Sequence, residues 1–165
     1  MYHRSAGLAV LAAVGAGLGL AQVSGSEADV VLGVWLTGDG KAKVEVYRCD
    51  ENYCGRIIWL RDPLKEGKPA VDDKNPEEQL RGRPVLGLTL MREFAYEGDR
   101  VWSGGKVYDP ESGNDYSGKI TLTDESTLDL RGYVLLPLFG RTETWKRVTE
   151  PVSPADSVRT APHKR

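Results

Sequence analysis

Side chains that carry out acid–base or metal chemistry are scarce in this sequence. Its two histidines, His3 and His163, each lie within a few residues of one end of the 165-residue chain. The rest of the chain therefore offers no imidazole as a general base or zinc ligand, which argues against Ser-His-Asp, Cys-His and most zinc mechanisms. We expect neither a metal site nor a cofactor.

Carboxylates are the remaining candidates for catalysis, because two of them converging on a cleft can hydrolyse a glycoside. Asp109 and Glu111 share the segment 109–113 (DPESG). Further acids lie in or near a long loop: Asp62, Asp72 and Asp73. The segment 109–113 also has the residues of an ordinary β-turn, in which Asp109 caps its own turn, Pro110 sets φ and Gly113 takes a positive φ. We favour the turn and no catalytic residue.

Two cysteines, Cys49 and Cys54, flank a predicted four-residue turn. Across a hairpin their Cα atoms would lie about 4.5–5.5 Å apart, within reach of a disulfide. A metal pair would need further Cys or His ligands, and a redox pair more often has the Cys-x-x-Cys spacing. We therefore favour a structural disulfide over a metal pair or a catalytic thiol.

Aromatic side chains are spread over nearly every predicted strand. The sequence has four Trp and seven Tyr, and both residue types combine apolar area with a polar group that can orient a ligand. Plain core packing is the competing interpretation for any one of them. Judged from middle positions of the strands, the expected ligand-binding residues are Trp59, Trp102, Tyr116, Arg131 and Tyr133.

Short strands must position these side chains. Period-two alternation and β-branched runs predict eight of them, at 30–37, 41–49, 53–60, 85–96, 100–108, 116–123, 126–133 and 141–149. The loop 61–84 is rich in Pro, Gly and charge, and residues 75–78 predict one short helix within it. Hairpin-sized connections favour an all-β, antiparallel up-and-down barrel over a sandwich. Such a barrel encloses enough space for one small ligand.

The two ends of the chain are predicted to lie outside the barrel. Residues 6–21 carry no charged side chain and follow Arg4, which is typical of a secretory signal peptide cut after Ala21 or after Gly25; an uncleaved anchor is the alternative. We assign 1–21 to the signal, 22–29 to a polar leader, 30–149 to the barrel and 150–165 to a disordered tail. The location is then periplasmic or secreted, with no stable membrane insertion once the signal is removed.

Short motifs rich in glycine and aromatic residues run through these elements: GVW at 33–35, CGRI at 54–57, NP at 75–76, LRGRP at 80–84, LG at 86–87, GGKVYDPESG at 104–113, YSGK at 116–119, RGY at 131–133, RT at 141–142 and TW at 144–145. Together they resemble the exported bacterial proteins of domain of unknown function family 2147, over about residues 31–148. The resemblance implies a lipocalin-like antiparallel barrel, an exported location and no assigned activity. Paired cysteines around the first hairpin also fit it.

The motif Gly33-x-Trp35 is itself similar to the opening motif of lipocalins. There the Trp packs across the closed end of the barrel under an arginine from the last strands. This resemblance assigns Arg147 to that position, with Arg141 as the second choice. A guanidinium over an indole contributes about 0.5–2 kcal/mol, so the contact would close the barrel and bind no ligand.

We therefore expect an exported protein that binds a small apolar or amphipathic molecule inside a lipocalin-like barrel. One alternative is a non-catalytic structural or interaction protein of the cell envelope with a solid core, and another is a carboxylate-dependent hydrolase. The charges, 22 Lys+Arg against 24 Asp+Glu, argue against nucleic-acid binding. Nothing in the sequence sets the oligomeric state.

Overall fold

The structure is a computed structural model that describes residues 26–136, 138 and 140–149. The predicted signal peptide, its two cleavage sites, the first residues of the leader and the C-terminal tail lie outside these residues. The assignments made for those segments stay predictions.

The described residues include ten strands and two 3₁₀ helices. The helices are Glu27–Val31 and Glu78–Leu80, and the strands are β1 (Gly33–Leu36), β2 (Ala42–Cys49), β3 (Asn52–Leu60), β4 (Leu64–Lys65), β5 (Lys68–Pro69), β6 (Thr89–Gly98), β7 (Val101–Asp109), β8 (Asn114–Asp124), β9 (Thr127–Tyr133) and β10 (Arg141–Arg147). Eight of the strands close a barrel in the order β1-β10-β9-β8-β7-β6-β3-β2, while β4 and β5 pair with each other. Every barrel pairing is antiparallel. The predicted all-β barrel of about eight strands is confirmed.

Two of the predicted elements differ from the structure. The first strand is shorter than 30–37, because Val30 and Val31 belong to the first 3₁₀ helix, where Val31 is fully buried. The short helix predicted at 75–78 is a single 3₁₀ turn displaced to Glu78–Leu80. Asn75 explains the displacement, since its side-chain oxygen accepts the backbone N–H of Glu77 at 2.9 Å and forms a turn before the helix begins.

The two ends of the barrel are built differently. At the closed end three tight hairpins, centred on 50–51, 99–100 and 125–126, meet the first 3₁₀ helix. At the open end four connections of varied length join the strands, and they are 37–41, 61–88, 110–113 and 134–140. Residues 137 and 139 of the last connection are not among the described residues. Because the strands connect the two ends, the residues of the barrel divide into those near the closed end and those near the open end.

Large side chains fill the closed half. The fully buried group includes Trp35, Val44, Met91, Phe94, Trp102, Ile120 and Leu128. The ring of Phe94 has room because Gly105 and Gly118, which lie opposite each other on β7 and β8, have no side chain there. A Cβ atom at Gly105 would lie 2.6 Å from Cε2 of Phe94, and one at Gly118 would lie 2.9 Å from Cε1. The glycine motifs thus make space for one aromatic ring.

The first and last strands are joined by Arg147. Its guanidinium lies 4.1 Å from the ring centroid of Trp35. It also donates to the backbone oxygens of Leu32 at 2.8 Å, Val30 at 2.6 Å and Glu125 at 2.6 Å. Burial of the guanidinium lowers the pKa of Arg147 from its usual value. This is the arrangement that the lipocalin resemblance implied for Trp35 and Arg147, and Gly33 lies against the same guanidinium, which a Cβ at its position would approach to 2.9 Å.

Candidate functional site

A cavity of about 700 Å³ occupies the open half of the barrel. Apolar side chains line it, and they are Ala42, Ile57, Leu60, Val85, Leu90, Val107, Pro110, Leu130, Val134 and Trp145. Polar side chains line it nearer the loops, and they are Thr37, Asp39, Lys41, Tyr108, Asp109, Glu111, Tyr116, Tyr133, Arg141 and Glu143. The site therefore combines an apolar interior with a polar rim.

The long loop 61–88 covers one side of the rim. It folds back on itself, with Val71 opposite Pro84 in an isolated bridge and the N–H of Val85 donating to the oxygen of Ala70 at 3.0 Å. Its last part then follows β3, since Gly87 donates to Ile57 at 2.8 Å. This path brings Val85 into the cavity wall.

A buried polar cluster fixes that loop to the barrel. The Asp72 carboxylate is fully buried and accepts the Tyr108 hydroxyl at 2.6 Å and the Asn75 amide at 2.8 Å. Arg83 pairs with the same carboxylate at 2.8 Å and lies over the Tyr108 ring. Burial, followed by the hydrogen bond to Asp72, raises the pKa of Tyr108. The loop is thus a fixed wall of the cavity, because removing one partner would leave a buried charge unpaired.

An ion pair spans the rim. Nζ of Lys41, after β1, lies 2.7 Å from Oε1 of Glu111, after β7, and 3.4 Å from Asp39. In the closed ring of eight strands the β1–β2 and β7–β8 connections are separated by four strands in either direction. The Lys41–Glu111 pair therefore joins opposite sides of the barrel and divides the rim in two.

One half of the divided rim lies beside β3 and β6, where the long loop covers it. The other half lies beside β8, β9 and β10, and we call it the entrance. Tyr116, Tyr133, Val134 and Arg141 line the cavity there. In the part of the chain that the structure describes, the side chain of Arg141 has neither a hydrogen bond nor an ion pair.

Strand β10 carries a row of inward-facing residues from the entrance towards the interior. Arg141 is exposed, Glu143 is half-buried and Trp145 is buried. The Trp145 indole N–H donates to Oε2 of Glu143 at 3.2 Å. Sequence reasoning missed Glu143 and Trp145 as cavity residues and placed Arg141 elsewhere. The alternation of β10 contains the signal, because residues 141, 143 and 145 share one face with Trp145 in the core.

The five expected ligand-binding residues fall into three places. Tyr116 and Tyr133 line the cavity. Trp102 points inward but lies in the packed closed half, 5.2 Å from the ring of Tyr96 and 6.2 Å from that of Tyr53. The structure therefore brings two of the five to the cavity.

Trp59 and Arg131 were wrongly placed, since both lie on the outer face. A register shift between Lys43 and Val44 turns Trp59 outward, where the Lys43 ammonium lies 5.0 Å from its ring centroid. Arg131 alternates with the inward Leu130 and donates to the Thr142 hydroxyl at 2.8 Å outside the barrel.

The segment 109–113 has the geometry of a capped turn. Oδ1 of Asp109 accepts the backbone N–H of Glu111 at 2.9 Å, and Oδ2 accepts the Ser112 hydroxyl at 2.7 Å. Gly113 has φ +75°, and a Cβ there would lie 2.8 Å from the carbonyl carbon of Lys74 in the long loop. Both oxygens of Asp109 are therefore used by its own turn, which removes the main support for a carboxylate-dependent hydrolase.

The two cysteines form a disulfide that joins β2 to β3, with Cα atoms 5.8 Å apart. Among the described residues there is no group of three or more His, Cys, Asp or Glu side chains placed to hold a metal ion. No helix in the described segments is long and apolar enough to span a membrane.

A closed, eight-stranded antiparallel barrel with a cavity at one end and a Trp–Arg contact at the other defines a lipocalin-like protein. The chain belongs to the family described as "Uncharacterized protein conserved in bacteria (DUF2147)", whose model matches residues 33–147. No curated protein matches the chain.

One solved structure, that of protein HP1028 from the human pathogen Helicobacter pylori, is described as belonging to the lipocalin family. It is 24% identical to this chain, covers 72% of it and 83% of its own length, and superposes with a TM-score of 0.65. This likeness shows the fold, which is compatible with a protein that is not an enzyme.

Proposed function

We propose that this protein is exported and binds one small amphipathic molecule in the open half of its barrel. The observation that carries the proposal is the cavity of about 700 Å³ with an apolar interior and a polar rim. That volume falls within the roughly 300–1,000 Å³ of ordinary small-molecule sites. The apolar part of the ligand would contact Leu90, Val107 and Leu130, and its polar end would stay near the entrance.

The arrangement of charge supports an amphipathic ligand over a sugar or a pure hydrocarbon. In the interior, Trp145 and Leu130 offer contact area, and the Trp145 N–H already donates to Glu143. At the rim, Arg141 and the tyrosines offer hydrogen-bond donors that a polar end could accept. A sugar that entered the interior would place hydroxyl groups against apolar side chains such as Leu90 and Leu130, which is costly.

Gly132 offers a direct test, because it lines the cavity and a Cβ at its position would meet nothing closer than 3.6 Å. We expect lauric acid and lysophosphatidylcholine to raise the thermal unfolding temperature of the wild-type protein, and glucose to leave it unchanged. Gly132→Leu should weaken binding of both amphipaths by roughly tenfold or more, since its side chain occupies the space of the ligand.

Gly82→Leu is the matched control, because nothing lies within 4 Å of a Cβ at Gly82. It should bind as the wild type does. Unaltered unfolding temperatures with every amphipath, or equal binding by the Gly132→Leu and Gly82→Leu proteins, would contradict binding in this cavity.

The proposed export is supported by the Cys49–Cys54 disulfide, since such bonds persist in oxidising compartments, and by the charge-free run 6–21. Fractionation of cells expressing the full chain should recover it in the periplasm or medium, with an N-terminus at residue 22 or 26 by mass spectrometry. Recovery of the intact chain in the cytoplasm with reduced cysteines would contradict export.

A further inference from the structure

The connection between β9 and β10 carries a patch of exposed apolar side chains. Val134, Leu135, Leu136 and Leu138, which we call the rim patch, are between 58% and 91% exposed. The other exposed large apolar residues of the described chain, Leu64, Val71 and Leu86, reach at most 39%. The strongest apolar exposure is therefore concentrated in one loop, and contiguous patches of this kind mark interaction surfaces.

The backbone of the rim patch is held in place although its side chains are mostly exposed. Arg131 donates from Nη1 to Thr142 at 2.8 Å and from Nη2 to the oxygen of Leu138 at 3.4 Å, which ties the base of the loop to the barrel wall. Leu135 has φ +66°, in the left-handed region that disfavours a branched side chain. The loop thus keeps a strained leucine exposed, and such strain is typical of functional segments.

The rim patch continues the cavity. Val134 is both 60% exposed and part of the cavity lining, so apolar surface runs from the interior through the entrance to the loop. The long loop and the Lys41–Glu111 pair close the rest of the rim. We propose that the rim patch docks on the surface of a lipid bilayer containing anionic lipids, with the entrance facing the bilayer.

The surface around the patch fits a bilayer better than a second copy of this chain. Four aliphatic side chains expose a few hundred Å², well below the roughly 1,200 Å² that stable protein interfaces bury. Partial insertion into a membrane interface needs only such a small apolar area with cations beside it. Arg141, without a partner among the described residues, supplies the cation, and Tyr116 and Tyr133 are of a type enriched at membrane interfaces.

The experiment compares vesicle binding by variants produced from the full 165-residue sequence, whose shared N-terminus is read by mass spectrometry. The vesicles are phosphatidylcholine alone, or phosphatidylcholine with about one-quarter phosphatidylglycerol. We expect Leu135→Ser/Leu138→Ser to lower the partition coefficient for the anionic vesicles by roughly tenfold. The matched control, Leu64→Ser/Leu86→Ser, removes two leucines elsewhere and should stay within about twofold of the wild type.

Two further measurements locate the contact. In Leu138→Cys labelled with an environment-sensitive fluorophore, vesicles should shift the emission to the blue, whereas the same label at Glu125→Cys, at the closed end, should not respond. Arg141→Gln should remove the preference for anionic over neutral vesicles. These readouts do not require the cavity to bind a ligand, so they separate this inference from the proposed function.

Three results would overturn the inference. One is a label at position 138 that does not respond to either kind of vesicle. Another is equal partitioning of the rim-patch variant and its control. The third is a wild-type dimer in sedimentation equilibrium that the rim-patch substitutions convert to a monomer, which would make a second copy the occupant.

Discussion

Single residues decide how the interior of this barrel is divided. Gly105 and Gly118 give Phe94 the space that it needs, and together they fill the closed half. Gly132, the β9 partner of Gly118, lines the cavity, and a Cβ at its position would make only an ordinary contact with Tyr116 at 3.6 Å. Neighbouring glycines on adjacent strands therefore have opposite effects on packing. The Phe94 ring fills the space beside Gly105 and Gly118, whereas the space beside Gly132 is part of the cavity.

Gly105→Ala should destabilise the fold by about 2–3 kcal/mol, because its Cβ would overlap the Phe94 ring in a packed core. Gly132→Ala, with 3.6 Å to the nearest atom, should change the free energy of unfolding by less than about 1 kcal/mol. Urea denaturation measures both. Equal stabilities for the two variants would show that Phe94 moves aside freely.

Asp29 makes the stability of the folded state depend on pH through its contacts at the closed end. Hydrogen bonds from Arg48 and then Ser26, with a smaller one from Tyr53, lower the pKa of its carboxyl from 3.8 to about 2. A carboxyl whose pKa is lower in the folded state stabilises that state above the unfolded pKa and loses this effect as the pH falls. The contribution is therefore complete above about pH 4 and disappears towards pH 2.

Asp29→Asn should accordingly be less stable than the wild type at pH 7, and the difference should shrink as the pH falls from about 4 to 2. Urea unfolding at a series of pH values measures it. Asp50→Asn, in the neighbouring hairpin, is the control and should show no such convergence with the wild type. If the difference in the free energy of unfolding between Asp29→Asn and the wild type stayed constant down to pH 2, the stabilising role of ionised Asp29 would be contradicted.

At the scale of elements, the four connections at the open end have different tasks. The long loop 61–88 is fixed by the Asp72 cluster and forms a wall. The connections 37–41 and 110–113 meet through Lys41 and Glu111, whose side chains are 53% and 70% exposed. An exposed pair adds little to stability and is weakened by salt. Since both side chains line the cavity, we predict that the pair acts on access to it.

Lys41→Gln should therefore admit a small quencher more readily. In a Trp59→Phe background, where the outward Trp is removed, we expect acrylamide to quench Trp145 several-fold faster in Lys41→Gln than with Lys41 present, because Trp145 lines the cavity. High salt should raise the quenching rate of the protein that keeps Lys41 towards the rate of Lys41→Gln. Lys65→Gln is the matched control, since Lys65 forms a comparable exposed pair with Asp73 at 2.6 Å. Equal quenching rates in Lys41→Gln and Lys65→Gln would show that the Lys41–Glu111 pair is not a barrier to acrylamide.

At the scale of the whole molecule, alternation and turn residues were sufficient to predict the barrel. They predicted eight strands joined mostly by hairpin connections, which is the order found in the closed barrel. They did not predict the bulge that turns Trp59 outward, because a bulge depends on pairing between strands and leaves no local pattern.

The sequence also did not predict how far along the barrel axis each inward side chain lies. Trp102 and Tyr116 were both predicted to bind a ligand, yet one lies in the packed half and the other beside the entrance. Their depth depends on how far the strands are staggered around the ring, which is a property of closure and not of any one strand. For Glu143 and Trp145, the alternation of β10 does indicate a shared inward face, but their position beside the cavity depends on the same stagger.

The contact between Arg147 and the first strand sets the order in which this chain can fold. Its hydrogen bonds to Val30 and Leu32 join residues 117 and 115 positions apart, and β1 has only four residues with which to pair β10. Closure is thus the most non-local step of folding, and such topologies fold slowly, in milliseconds to seconds. A chain crossing a membrane from its N-terminus cannot complete the ring until residue 147 has emerged. For the proposed export, we therefore expect closure to wait for the last strand, so that the polypeptide stays unclosed until its C-terminal part has crossed.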